Sequence, residues 1–281
     1  MTFSSKEENE QTSSHVNRRT AVKRIGMTAA GAALLSGIQP WSATAADADT
    51  TTQPSKPNIL FVHGAFADGS SWSRVIPTLQ ETGHRVLAVQ LPLTGLADDI
   101  ATTRQALAFL SGPTVLVGHS YGGSVITGAG ADAPNVTGLV YIAAYVPAAG
   151  ESVGDLNNLY PVTAGAQHVT LSYVQNTLWV DPDVFPQVFA GDVEPEQARA
   201  LAAVQHPTAF SCFGEKSGQP AWQQLPSWYL VSKNDQMINP DLERWMATRI
   251  NATTREVDAS HASLISHPHV VASVILQAAA H

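Results

Sequence analysis

From about residue 57 onward, short apolar runs alternate with segments that repeat apolar positions at helical spacing. Five of the runs are typical of buried strands, and they cover residues 58–62, 85–89, 114–117, 138–143 and 227–231; a sixth, more polar strand is predicted over 254–257. The segments between them predict helices over 71–82 and 98–110 and from about 121, 240 and 268. This alternation predicts an α/β fold with a mostly parallel, doubly wound sheet and helices on both faces.

The alternation breaks between about residues 146 and 226. This stretch is irregular and rich in prolines and aromatic residues, and it predicts one clear helix over 195–205. Because it follows one strand and precedes another, we expect a small cap inserted over the carboxyl edge of the sheet. Residues 57–281 are therefore predicted to form one domain.

The first 45 residues have a different character. The Arg18-Arg19 pair precedes a weakly apolar run over residues 25–38, and Ala43-Thr44-Ala45 supplies a small-x-small cleavage pattern. The run is shorter than the roughly 20 residues that a membrane-spanning helix needs. The whole resembles a bacterial twin-arginine signal peptide, although Ala21 stands where a bulky residue is commoner.

The resemblance implies that residues 1–45 are a signal peptide read by the twin-arginine export machinery, which moves folded proteins. We then expect a periplasmic or secreted protein without a stable membrane anchor, with residues 46–56 as a flexible leader. The alternative is an amphipathic cytoplasmic arm with a chance arginine pair.

The composition and charge of the chain disfavour some classes of function and exclude some kinds of site. The 281 residues are 44% hydrophobic and 14% charged, which is ordinary for a globular protein. The net charge of −8 disfavours nucleic-acid binding, because that affinity comes from neutralising phosphates. Cys212 is the only cysteine, so the chain has no internal disulfide and no thiolate metal cluster. We expect neither a metal nor a cofactor.

One motif carries nucleophilic chemistry. Gly118-His119-Ser120-Tyr121-Gly122 matches G-x-S-x-G, directly after an apolar run and before a small-residue helix. A serine at such a sharp strand-to-helix turn has strained backbone, so its neighbours must be glycines. Ser120 is therefore the predicted nucleophile. The Tyr121 N–H is one predicted oxyanion donor, and the second is expected from the turn after the first strand, residues 63–66.

The general base and its acid follow from position along the chain. His261 lies just beyond the last predicted strand and before the last helix, in the chain order Ser…Asp…His. Asp235 follows the strand over 227–231 and is predicted to orient the imidazole. Asp258 is the rival acid, but it lies only three residues before His261. His267 and His269 are expected at the surface or as helix caps, with a metal pair as the alternative.

The Gly118–Gly122 motif and the His63-Gly64 pair, about 55 residues apart, resemble the α/β-hydrolase superfamily. Together with residues 63–72, 226–240 and 257–268, they resemble small esterases related to plant methylesterases and hydroxynitrile lyases. This resemblance implies the α/β-hydrolase fold and makes Ala65 the second oxyanion donor. His63 is expected to brace its loop rather than to take part in catalysis.

The lyases of that group carry a threonine after the first-loop histidine and a lysine after the base histidine. This chain has Gly64 and Ala262 at those places, which favours hydrolysis. The expected function is cleavage of a small-molecule carboxylic ester through an acyl-enzyme. A cofactor-free perhydrolase, a hydroxynitrile lyase and a catalytically silent binding protein stay open as alternatives, as does the oligomeric state.

The cap also offers large apolar side chains. Some of them are expected to pack the cap and others to line the pocket, and they are Tyr160, Leu178, Trp179, Phe185, Phe189, Phe210 and Phe213. If a few line the pocket, the acyl or alcohol part of the substrate is apolar and of modest size.

Overall fold

The structure is a computed structural model, and it describes residues 56–172 and 176–281. The predicted signal peptide, residues 1–45, lies outside the described residues. So does the predicted leader, residues 46–56, except for Lys56.

All six predicted strands form one sheet. They are β1 (Asn58–Val62), β2 (Val86–Ala88), β3 (Thr114–Ser120), β4 (Val136–Ala144), β8 (Ser227–Ser232) and β9 (Thr253–Val257), and their order across the sheet is β2-β1-β3-β4-β8-β9. Every neighbouring pair is parallel. Because β1 and β3 are buried at every position, their uninterrupted apolar runs match strands covered on both faces. The predicted parallel sheet is confirmed.

Helices flank this sheet. They are α1 (Ile76–Glu81), α2 (Leu96–Phe109), α3 (Gly122–Ala129), α8 (Pro240–Arg249), α9 (Ser263–Ser266) and α10 (Pro268–Ala279). Helix α2 packs against α3, whereas α1 packs against α10. The N-terminal ends of α8 and α10 follow a local signal, since each helix has a proline in its first turn, where the missing N–H costs nothing.

The first predicted helix begins later than expected. The sequence pattern predicts a helix over 71–82, but a 3₁₀ turn occupies Gly69–Trp72 and α1 begins only at Ile76. Asp68 caps the 3₁₀ turn by accepting a hydrogen bond from the Ser70 N–H at 2.6 Å. The turn buries Trp72, whose ring stacks on Phe61 with a centroid distance of 4.3 Å. Tertiary stacking therefore overrides a continuous helix here.

The cap contains more regular structure than the sequence predicts. Its strands β5 (Val169–Ser172), β6 (Thr177–Val180) and β7 (Thr208–Ala209) form a three-stranded antiparallel sheet. Its helices are α4 (Val153–Asn157), α5 (Phe185–Val188), α6 (Pro195–Ala203) and α7 (Ser211–Gly214), with short 3₁₀ turns at Ala166–His168 and Ala221–Gln223. The predicted helix over 195–205 corresponds to α6, whereas the small sheet was not predicted. Its strands are only two to four residues long and leave little periodicity to detect.

The sheet order decides where a site can form. Strand β1 pairs with β2 on one side and with β3 on the other, so the chain reverses its direction of winding between β1 and β3. Loops at the carboxyl ends of such neighbouring strands diverge and leave a crevice. Within residues 56–172 and 176–281, no helix is both long enough and apolar enough to cross a bilayer.

Candidate active site

Ser120 is the last residue of β3, and the chain turns there directly into α3. Its backbone φ is 54°, in the left-handed region that few residues other than glycine adopt. A Cβ at Gly118 would lie 2.6 Å from the Gly122 carbonyl oxygen, and one at Gly122 would lie 2.5 Å from the Val62 carbonyl oxygen. The two glycines are thus required by close backbone approach, and the turn presents the Ser120 side chain at the carboxyl edge of the sheet.

Asp235 and His261 meet beside this edge, although 26 residues separate them. The His261 Nδ1 lies 2.5 Å from the Asp235 Oδ2, and both side chains are buried. The other carboxylate oxygen, Oδ1, accepts hydrogen bonds from the N–H groups of Met237 at 2.6 Å and Ile238 at 2.9 Å. The three hydrogen bonds hold the Asp235 side chain in one orientation.

A cavity of about 310 Å³ lies under the cap, and both Ser120 and His261 form part of its wall. Most of the other lining side chains are apolar, and they come from the first loop and from the cap: Phe66, Val169, Leu178, Phe189, Phe210 and Phe213. Tyr145 and Asn157 add polar atoms, and the Tyr145 hydroxyl donates to the Asn157 Oδ1 at 2.8 Å. Of the cap residues singled out from the sequence, Leu178, Phe189, Phe210 and Phe213 line this cavity.

The loop after β1 lies against the turn around Ser120. A Cβ at Gly64 would lie only 2.7 Å from the Ser120 Cβ, so the loop can approach this closely only with glycine there. Among the hydrogen bonds of the described residues, the N–H groups of Ala65 and Tyr121 have no acceptor. The next N–H along, that of Phe66, is occupied by the Thr208 Oγ1 of the cap at 3.1 Å. In the part of the chain that the structure describes, the loop after β1 and the residue after Ser120 thus each have one N–H group without an acceptor.

Two buried histidines hold the loops of the site together. The His63 Nε2 accepts a hydrogen bond from the Leu91 N–H at 3.0 Å, so its Nδ1 carries the proton and donates to the Gly64 carbonyl at 2.9 Å. Burial lowers the pKa of His63 to about 4, which keeps this ring neutral at physiological pH. His119 donates from Nε2 to the backbone carbonyl of His261 at 3.0 Å.

The other acids and histidines singled out from the sequence lie elsewhere. Asp258 pairs with Lys233 at 2.6 Å and its side chain is 76% exposed, so it does not reach the buried imidazole. The His267 Nδ1 lies 3.4 Å from the Asp192 Oδ2, and His269 is exposed. In the part of the chain that the structure describes, no group of three His, Cys, Asp or Glu side chains is arranged to hold a metal ion.

The loop that carries His261 is also fixed by the cap. Asp192 accepts hydrogen bonds from both the N–H, at 3.1 Å, and the hydroxyl of Ser260. The Ala262 N–H donates to the Phe189 carbonyl at 3.0 Å. The sequence carries no signal for Asp192, because its partner lies 68 residues further along the chain.

A buried acid binds the residue that follows Ser120. The Asp99 Oδ1 accepts from the Leu93 N–H at 2.9 Å, and its Oδ2 accepts from the Tyr121 hydroxyl at 2.7 Å. From the sequence, Asp99 is an ordinary acidic residue in the first turn of a helix. Only the fold buries it completely, and burial raises its pKa to about 6.

This pKa makes the stability of the protein depend on pH. Because the folded state binds the proton of Asp99 more tightly than the unfolded chain, the stabilisation is complete below pH 3.8 and is lost as the pH rises through about 6. The expected loss is about 3 kcal/mol. In an Asp99→Asn variant this dependence disappears. Urea unfolding of both proteins from pH 4 to 7 checks this, and a constant difference in unfolding free energy would contradict it.

Comparisons with known proteins place this arrangement in context. The model of the Alpha/beta hydrolase family matches residues 59–274. The probable hydrolase R7 of Phoma sp. is 26% identical over 249 residues, covering 80% of this chain and 98% of the relative. Methylesterase 18 of Arabidopsis thaliana is 24% identical, again over 80% of this chain and 98% of the relative. The crystal structure of a pyrethroid hydrolase from Sphingobium faniae JZ-2 superimposes with a TM-score of 0.70 at 23% identity, covering 80% of this chain and 97% of that one.

Proposed function

The chain belongs to the alpha/beta hydrolase family, and from this premise we propose that it is a serine hydrolase of carboxylic esters, with Ser120, His261 and Asp235 as its catalytic triad. One observation carries the proposal. His261, whose Nδ1 lies 2.5 Å from Asp235, and Ser120 both line one mainly apolar cavity, and the N–H groups of Ala65 and Tyr121 have no acceptor within the described residues. Esterases and hydrolases among the relatives support ester hydrolysis as the general reaction.

Acylation starts at Ser120 in this proposal. His261 removes the hydroxyl proton through Nε2 as the Ser120 Oγ attacks the ester carbonyl, and Asp235 stabilises the resulting imidazolium. The N–H groups of Ala65 and Tyr121 donate to the oxyanion, each stabilising the transition state by about 3 kcal/mol. The tetrahedral intermediate then expels the alcohol, which takes the proton from His261.

Deacylation repeats the same steps with water as the nucleophile. His261 takes a proton from the attacking water, the oxyanion forms again between Ala65 and Tyr121, and the acid leaves as Ser120 regains its proton. The cycle balances as ester plus water giving acid plus alcohol: no oxidation state changes, and every proton that His261 removes is returned.

The substrate class follows from the cavity lining. Since the wall is mainly aliphatic and aromatic, we infer an ester whose acyl or alcohol part is apolar and fits about 310 Å³. Purified protein is expected to hydrolyse p-nitrophenyl esters with a kcat/KM that rises roughly fourfold per added methylene until the cavity is full.

Three further assays separate this function from its alternatives. Peracid formation with added hydrogen peroxide indicates a perhydrolase, and cyanide release from mandelonitrile indicates a lyase. Tight ligand binding without turnover of any ester, lactone or amide indicates a silent binding protein. Any of these results in the absence of ester hydrolysis would overturn the proposal.

We also propose that the protein is exported in folded form by the twin-arginine machinery to the periplasm or beyond. The Arg18-Arg19 pair and the small-x-small pattern at residues 43–45 support this. In a bacterial host, the Arg18→Lys/Arg19→Lys variant is expected to remain in the cytoplasmic fraction, whereas a Lys6→Arg control is exported like the wild type. Equal export of all three proteins would contradict the proposal.

A further inference from the structure

A second carboxyl group lies behind the proposed acid of the triad. Glu243 lies in the first turn of α8, and its side chain is completely buried. Its Oε2 accepts a hydrogen bond from the Ser232 N–H at 3.1 Å, and the Ser232 carbonyl in turn accepts from the Asp235 N–H at 3.1 Å. Ser232, at the end of β8, thus links the two carboxyl groups through its N–H and its carbonyl.

The two carboxyl groups differ in the hydrogen-bond donors that surround them. Asp235 accepts three hydrogen bonds, from two backbone N–H groups and from His261, as a carboxylate does. The Glu243 Oε1 is buried, and no donor among the described residues is directed at it. A buried oxygen without a donor is costly for an ionised carboxylate, but it is satisfied if the oxygen carries a proton and donates.

The surroundings of Glu243 favour the protonated form. Burial raises the pKa of Glu243 well above its ordinary range, and the negative charge of Asp235 raises it further. The Tyr145 and Tyr229 hydroxyls donate to the Asn157 Oδ1 and to the Ala144 carbonyl, and burial raises the pKa of both phenols, so they stay neutral. The Arg244 guanidinium does little to stabilise a negative charge on Glu243, because it binds its surface partners Glu256 and Asp241.

We propose that Glu243 is a positioning residue, whose protonated carboxyl donates a hydrogen bond from Oε1 to the Asp235 carboxylate and so fixes Asp235 against His261. This inference rests on the proposed function of the triad. Glu243 does not line the substrate cavity, so its effect is expected on kcat and not on KM.

A pair of substitutions tests the donor role. Glutamine reproduces a protonated glutamate, because its oxygen can accept from Ser232 while its amide donates to Asp235. We expect Glu243→Gln to keep kcat within about threefold of wild type, whereas Glu243→Met, of similar volume but without a donor, lowers kcat about 10- to 100-fold. In an Asp235→Asn background, Glu243→Met should cause little further loss, because the carboxylate that it supports is absent.

Infrared spectroscopy supplies a readout that does not depend on activity. The wild type at neutral pH is expected to show the carbonyl band of a protonated carboxylic acid, and Glu243→Gln should lack it. The absence of that band, or a Glu243→Gln variant as impaired as Glu243→Met, would overturn the proposal. If Ser120→Ala left turnover unchanged while the band was present, the proposed function would fail and the protonated Glu243 would stand. The glutamine variant and the infrared band also keep the test decisive if Glu243→Met does not fold.

Discussion

Replacing Ser120 with alanine is expected to lower kcat for ester hydrolysis by about 10⁴- to 10⁶-fold. The substitution removes the only proposed attacking atom, so the acyl-enzyme cannot form. The residual rate then comes from binding and the oxyanion donors alone. The fold should be kept, because the Ser120 side chain faces the cavity and its removal leaves the glycine contacts of the turn in place.

Ser124 provides the matched control for this prediction. It lies on α3, four residues further along, and its buried hydroxyl has no hydrogen-bond partner among the described residues. Ser124→Ala is therefore expected to retain the activity of the wild type. Steady-state hydrolysis of p-nitrophenyl butyrate measures all three proteins, and a fluorophosphonate probe should label the Ser120 peptide. A Ser120→Ala variant within tenfold of the wild type would refute the nucleophile assignment.

Replacing Asp235 with asparagine is expected to lower kcat by about 10⁴-fold without unfolding the protein. The asparagine oxygen can still accept from the Met237 and Ile238 N–H groups, so its amide nitrogen faces the His261 Nδ1. An N–H donor there turns Nδ1 into an acceptor and puts the imidazole proton on Nε2. That nitrogen can then no longer take the proton of Ser120.

Asp258→Asn is the control for the acid. Asp258 was the rival in the sequence, and it lies on the surface in an ion pair with Lys233, which contributes little to stability. We expect its variant to match the wild type in kcat, and thermal unfolding should show that both variants are folded. If Asp258→Asn lost activity and Asp235→Asn kept it, the two acids would have to exchange roles.

The main sheet was predictable because its strands carry their own signal. Continuous apolar runs mark strands covered on both faces, and β1, β3 and β8 are buried at every residue. The cap could not be predicted in the same way. Its three strands are short and half-exposed, so their pairing depends on long-range contacts such as that between the Ala209 N–H and the Leu93 carbonyl, at 2.9 Å.

The candidate site likewise has one part that the sequence predicts and another that it does not. The turn around Ser120 is local, since its glycines are required by the backbone of a few neighbouring residues, and this left a readable motif. The contacts of Asp192 with Ser260 and of Asp99 with Tyr121 join residues that are distant in the chain. Such partners leave no pattern in a single sequence.

The amino-acid sequence by itself determined the α/β alternation, the strained serine turn and the order in which serine, aspartate and histidine follow one another. The tertiary structure alone decided that His261 and Asp235 lie 2.5 Å apart, that a cavity opens beside Ser120, and that Asp99 and Glu243 are buried. The physical reason is that hydrogen-bond reach and the free energy of ionisation depend on neighbours and on the exclusion of water, and both are set by the packing of distant segments.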